Sequence, residues 1–148
     1  MTLQYSGEEE IPASLDKVWA FVIDPEKVGR CFPEVVDVTV QDARHLVAVV
    51  RVGVGPVRGN FKIKVELLPA DSERHIDMKM SGGGFGSAVD LTAAADLVDA
   101  GDGTTILKWG GQAEARGPIA AVGGRVLDAQ AKKVIEQAFS NVRQQLTA

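Results

Sequence analysis

The chain closes with GPIAAVGGRVLDAQAKKVIEQAFSNVRQQL (117–146), a glycine-punctuated apolar lead-in followed by about five helical turns. Plotted at about 100° per residue, Leu127, Ala131, Val134, Ile135, Ala138, Phe139, Val142 and Leu146 share an arc of roughly 140°. Arg125, Lys132, Glu136 and Arg143 stand opposite. A helix with one apolar side needs a partner surface, and its polar side is too charged for a bilayer. Asp128 and Lys132 take the i,i+4 order that favours a surface ion pair, an effect of about 0.2–0.5 kcal/mol. The rest of the chain must supply what this helix covers.

Runs of alternating side chains supply it. Val36, Val38 and Val40 alternate with Asp37, Thr39 and Gln41, the period of two that turns one face of a strand toward a core. The same parity appears in Leu46, Ala48, Val50 and Val52; in Phe61, Ile63, Val65 and Leu67; and in Ile76, Met78 and Met80. It continues in Val89, Leu91, Ala93, Ala95 and Leu97, then in Leu107 and Trp109, with an extension toward Ala115. GVGPVRGN (53–60), PADSE (69–73), SGGGFGS (81–87) and DAGDGT (99–104) separate these runs by short turns, the signature of an antiparallel meander. LQYSGEEEI adds a less regular first strand through Leu3, Tyr5 and Ile11.

Two short helices fall between the first strand and the meander. Ser14 is placed to cap a helix that carries Val18, Trp19, Val22 and Ile23 at helical spacing. Pro25 ends it, and a second helix around Glu26 to Arg30 stops before Pro33. The predicted order is one strand, two short helices, about six antiparallel strands and a long terminal helix. That is an α+β fold in which one helix covers a curved sheet.

A sheet that curves away from its helix must be filled by side chains or leave a cavity. Ala48, Ala93, Ala95, Gly111, Ala113, Ala131 and Ala138 are small inward positions. Met78, Met80, Phe85 and Trp109 either fill the remaining gap or line it. Candidate ligand contacts from the sheet are Phe61, Ile63, Met78, Met80, Val89, Leu91 and Trp109. Those from the last helix and its approach are Ile119, Val122, Leu127, Ile135 and Phe139. Phe85, flanked by glycines, reads either as a gate at the pocket mouth or as a loop residue docked in the core.

The 148 residues suit one domain, and a net charge of -4 gives no basic surface for nucleic acid. Residues 117–148 hold four Lys/Arg against two Asp/Glu, a local +2 that leaves -6 elsewhere. The stripe of Arg125, Lys132 and Arg143 suits anionic lipid or an acidic partner, and equally an ordinary solvated face. Cys31, alone, excludes an internal disulfide. MTLQYSGEEE has neither the basic nor the apolar region of a signal peptide, and no run reaches the roughly 18 apolar residues of a membrane span. A cytoplasmic location is expected.

Other chemistries lack their residues. SGGGFGSA fails the dinucleotide spacing, with Ser87 where a third glycine belongs and a strand following. GPIAAVGGR lacks the lysine and hydroxyl of a phosphate loop. His45 and His75 have no metal-ligand spacing and read as solvated imidazoles, GEEEI as a solvated acidic strand edge, and Cys31 as a small buried hydrophobe. No cofactor and no metal are expected.

Three ordered motifs carry a family resemblance across nearly the whole chain. CFPEVVDV (31–38) is similar to a Cys-x-Pro-Gly segment, VRVGVGPVRGNF (50–61) to a Val-Gly-Pro-x-x-Gly-x-Phe turn, and GPIAAVGGRVLD (117–128) to a Gly-x-(Leu/Ile)-Ala-x-(Leu/Val)-Gly lead-in. In these the chain resembles the carbon monoxide dehydrogenase G-subunit (CoxG) family of the helix-grip superfamily, which includes START and Bet v 1-like proteins. Glu34 departs from the family's glycine, and the GVGP turn carries an additional Val-Gly. Larger members continue into a polar linker and apolar tail; with the sequence ending at Ala148, permanent anchoring is not expected. The resemblance implies a non-catalytic accessory protein. It would hold a quinone-like, isoprenoid or lipid ligand and serve a molybdenum-containing dehydrogenase by membrane recruitment or quinone delivery. A cyclase- or dehydratase-like enzyme and a ligand-free assembly factor are the alternatives.

Overall fold

A computed structural model describes residues 1–147. Seven strands form one antiparallel sheet: β1 (Thr2–Ile11), β2 (Val35–Val40), β3 (His45–Val54), β4 (Val57–Pro69), β5 (His75–Gly84), β6 (Ser87–Gly101) and β7 (Thr104–Arg116). Their spatial order is β1-β7-β6-β5-β4-β3-β2, so the meander from β2 to β7 is closed by the first strand pairing with the last. The strands run longer than the alternation alone marks. GVGPVRGN and SGGGFGS give most of their residues to strands, leaving tight turns between Val54 and Val57 and between Gly84 and Ser87.

The short helices α1 (Leu15–Val22) and α2 (Pro25–Arg30) follow β1. Ser14 Oγ accepts from the Lys17 N–H at 3.4 Å, the expected cap. Asp24 Oδ1 accepts from the Lys27 N–H at 3.2 Å, and Pro25 opens α2 where a missing N–H costs nothing. The glycine-rich approach to the last helix is itself helical for one turn, α3 (Pro118–Ala121). The terminal helix α4 (Gly124–Thr147) has 24 residues, about 36 Å.

Inward parity holds in β3 to β7 and fails in β2. There Val38 is buried, whereas Val36 and Val40 are 50% and 42% exposed. The register against β3 shifts between Val35 and Asp37, which turns Val36 outward, and β2 is an edge strand with one neighbour.

Buried side chains form three separate clusters. One joins Val50, Val54, Phe61, Ala115, Ile119 and Leu127 at the end of the sheet where β3 and β7 finish. A second gathers Leu46, Val65, Leu67 and Ile76 with Val38. The third, under α1, holds Ile11, Val18, Leu97 and Leu107. Full burial of residues such as Ile11, Leu46 and Leu67 contributes about 1.5–3 kcal/mol each. No helix among the described residues is long and apolar enough to cross a membrane.

Candidate ligand-binding site

Three rows of cross-strand neighbours form the inward floor between the clusters. One runs Tyr5, Gly111, Ala93, Met78, Leu67; the next Leu3, Ala113, Leu91, Met80, Val65; the third Gly7, Trp109, Ala95, Ile76. The first row is small at its centre, Gly111 and Ala93, and the others add Ala113 and Ala95 beside Leu91 and Trp109. The floor is therefore low at Gly111 and Ala93, while the methionines stand beside them with flexible, polarisable chains.

The roof is α4. Of its apolar arc only Leu127 is buried; Ala131, Ile135, Ala138, Phe139 and Val142 stay partly accessible although they face inward. Floor residues Met78, Met80, Leu91, Ala93, Trp109 and Gly111 are partly accessible in the same way. Apolar groups on both the sheet and α4 thus keep part of their surface exposed, and covering such surface is favourable by about 25 cal/mol per Å².

Polar contacts hold the roof at both rims. On the β1 side the Tyr5 phenol donates to Asp128 Oδ1 at 2.6 Å, and Arg143 Nη2 donates to Glu9 Oε1 at 2.7 Å. On the α2 side the Asn141 amide donates to the Cys31 carbonyl at 3.0 Å. Desolvation, then the hydrogen bond to Asp128, pushes Tyr5 up to about 12, so the phenol stays protonated and acts as a donor. The Tyr5 bond in turn holds the Asp128 carboxyl below its ordinary range, with Lys132 second.

Trp109 is the largest floor residue. Its indole lies over Gly7, where an added Cβ would stand 3.2 Å from the ring, and it meets Phe139 with centroids 5.4 Å apart and a 40° tilt. Its Nε1–H is buried against β1 without a hydrogen-bond partner.

The expected contacts separate into groups. Met78 and Met80 pack on the second cluster and Trp109 and Phe139 on the third, all four partly accessible, as are Leu91 and Ile135; Ile63 and Val89 pack on the first cluster. Phe61, Ile119 and Leu127 are sealed inside that cluster, and Val122 packs on its edge. Phe85 sits at the tip of the β5–β6 turn, 63% exposed, with positive φ and its ring over Gly59. An added Cβ at Gly59 would meet that ring, and the Gly59 φ of +140 is one that favours glycine.

Three surface readings change. Glu9 is no solvated edge: β1 parity turns it inward onto Arg143. Arg143 and Lys132 are engaged by Glu9 and Asp128, so the basic stripe is largely neutralised within the chain. His45 bridges Asp42 and Glu66, and His75 bridges Asp96 and Asp77, at 2.7–3.2 Å; these carboxylates raise both imidazoles. Among the described residues no group of three or more His, Cys, Asp or Glu could hold a metal ion. Burial pushes the Cys31 thiol up to about 11, as befits a small hydrophobe.

Two hollows lie mainly on the outer face of the sheet. One of about 550 Å³ lies among Gln4, Ser6, Asp77, Thr92, Ala94, Gly110 and Gln112 and also reaches Tyr5, Ala93 and Gly111 of the inward rows. A second of about 340 Å³ adjoins it at Thr92 and Gln112. Both are open surface depressions of mixed polar and apolar lining, and neither is lined by α4.

The curved sheet, paired short helices and long covering helix define a helix-grip protein of the START and Bet v 1-like class. The sequence profile of the carbon monoxide dehydrogenase G-subunit (CoxG) matches residues 7–147, and the chain belongs to that family. A conserved protein from Geobacillus kaustophilus superposes with a TM-score of 0.88 at 23% identity, over 98% of this chain and 95% of the other. A START superfamily protein from Mycobacterium smegmatis gives 0.74 at 17% identity over 97% of both chains. Truncated norcoclaurine synthase from Thalictrum flavum gives 0.62 at 14% identity over 99% and 94%. No curated protein sequence matches. Family membership and fold together support a ligand-binding accessory role.

Proposed function

We propose that the chain is a single helix-grip domain that holds a quinone-like, isoprenoid or lipid molecule beneath α4 without transforming it. In this reading it serves a molybdenum-containing dehydrogenase of the carbon monoxide dehydrogenase type, by recruitment or quinone delivery, on the cytoplasmic side of the membrane. The observation that carries the reading is the facing pair of partly accessible apolar surfaces: Met78, Met80, Leu91 and Trp109 below, Ile135 and Phe139 above. Family membership supports a dehydrogenase partner. A soluble short-chain quinone, titrated against the fluorescence of a Trp19→Phe variant that leaves Trp109 as sole emitter, tests the quinone class. Saturable one-to-one quenching is expected; quenching that rises linearly without saturation would contradict it.

An enzymatic reading draws on the inward Tyr5–Asp128 pair and on norcoclaurine synthase among the structural relatives. The raised phenol counts against it, since a group held near 12 is a weak acid and is not available as a base near neutrality. Loss of a measured turnover in Tyr5→Phe would favour the enzyme; unchanged ligand binding without turnover favours the carrier.

A further inference from the structure

The two ends of the sheet differ in chemistry. The β3–β4 turn, the β5–β6 turn and the passage from β7 through α3 to α4 lie together at one end. Val54 pairs with Val57, Gly84 with Ser87 and Ala88 with Arg116; the Ile119 N–H donates to Ser87 Oγ at 2.9 Å. Their sequences, GVGPVRG (53–59), GGGFGS (82–87) and RGPIAAVGGR (116–125), contain three arginines and no acid, a net +3. At the opposite end QDARH (41–45), PADSERH (69–75) and VDAGDGT (98–104) contain five acids against two arginines, a net -3.

The basic end is also the apolar one. Phe85 is 63% exposed at its turn, Val126 46% in the first turn of α4 and Met1 40% beside Gly124. Pro56, Pro118 and Ala121 are exposed beside them. Arg116 is held by Asp90, whereas Arg58 and Arg125 make no ion pair among the described residues. Apolar tips carried on separate loops and ringed by unpaired arginines match a plane with an apolar depth and an anionic surface.

We propose that this end docks on the surface of an anionic lipid bilayer, with Phe85 and Val126 entering the interface and Arg58 and Arg125 meeting lipid phosphates. The expected Arg125, Lys132, Arg143 stripe contributes only Arg125, because the other two are occupied by Asp128 and Glu9. The orientation turns the acidic end toward the aqueous phase. It follows from surface chemistry and does not require the interior to bind a quinone.

Co-sedimentation with vesicles of phosphatidylcholine mixed with phosphatidylglycerol, against phosphatidylcholine alone, tests the docking. Binding to the mixed vesicles is expected, with steep weakening by salt. At about fivefold per cation, Arg58→Glu with Arg125→Glu weakens it at least tenfold. Phe85→Asn, chosen because asparagine tolerates positive φ, and Val126→Ser weaken it severalfold, while Arg74→Glu at the opposite end leaves it unchanged. Circular dichroism on each variant separates lost docking from lost folding. Three results would overturn the proposal: wild-type protein that stays in solution, correctly folded variants that bind like wild type, or equal weakening by Arg74→Glu. Quenching by quinone in a chain that ignores vesicles would remove the docking and leave the ligand reading standing.

Discussion

The phenol of Tyr5 on the first strand donates to Asp128 on the last helix at 2.6 Å, joining the two extremes of the chain across 123 positions. With Arg143 on Glu9 it ties α4 to the β1 rim, while Leu127 joins the first cluster and Phe139, Val142 and Leu146 pack on the third. The helix is thus fastened by polar contacts at its rims as well as by apolar packing at its two ends.

Tyr5→Phe removes that bond and leaves Asp128 its partner Lys132. A loss of about 0.5–1.5 kcal/mol is expected, read as a lower denaturation midpoint. Because the phenol is raised in the folded state, its contribution is present below pH 10 and lost as pH climbs toward about 12. Wild-type stability should therefore fall over that interval and Tyr5→Phe should show a shallower fall.

Glu34 adopts φ +57, a left-handed conformation at the position where the resembling segment has glycine. Glu34→Gly removes a strain of about 1–2 kcal/mol and adds an unfolded-state entropy cost of about 0.5–1 kcal/mol. A net gain of about 0.5 kcal/mol is expected in urea denaturation.

His45 and His75 are raised by hydrogen bonds to Asp42 and Asp96 respectively. Their contribution is present below the ordinary histidine range and is lost as pH rises through the raised values. Melting temperature should fall modestly from pH 6 toward 8, and a His45→Gln, His75→Gln chain should lose that slope.

Cys31 is buried with its thiol pushed up to about 11. Thiol reagents at pH 8 should modify the native chain far more slowly than the urea-unfolded one. Equal rates would contradict its placement under the α2–α4 contact.

The strand parity in 46–52, 61–67, 76–80 and 89–97 and the apolar arc of α4 made the architecture legible, because side-chain period maps directly onto which face is buried. Val36 escaped that logic because an edge strand with a register shift breaks the period. Glu9 was hidden in an acidic run, although its parity with Tyr5 and Ile11 carried the signal. The Asp128 partner of Tyr5 could not be read at all, since pairing across the whole chain depends on how β1 closes against β7. Phe61 and Ile119 looked like lining residues because apolar character does not say which cluster a side chain joins.

The central claim is that the space beneath α4 takes an apolar guest, and occupancy measured by native mass spectrometry after exposure to a membrane extract tests it most directly. Ala93→Phe fills the low centre of the floor between Met78 and Gly111. Wild-type chain should carry one apolar molecule and the Ala93→Phe chain, folded by circular dichroism, should emerge empty. A wild-type chain without ligand, or equal occupancy in both, would contradict the account.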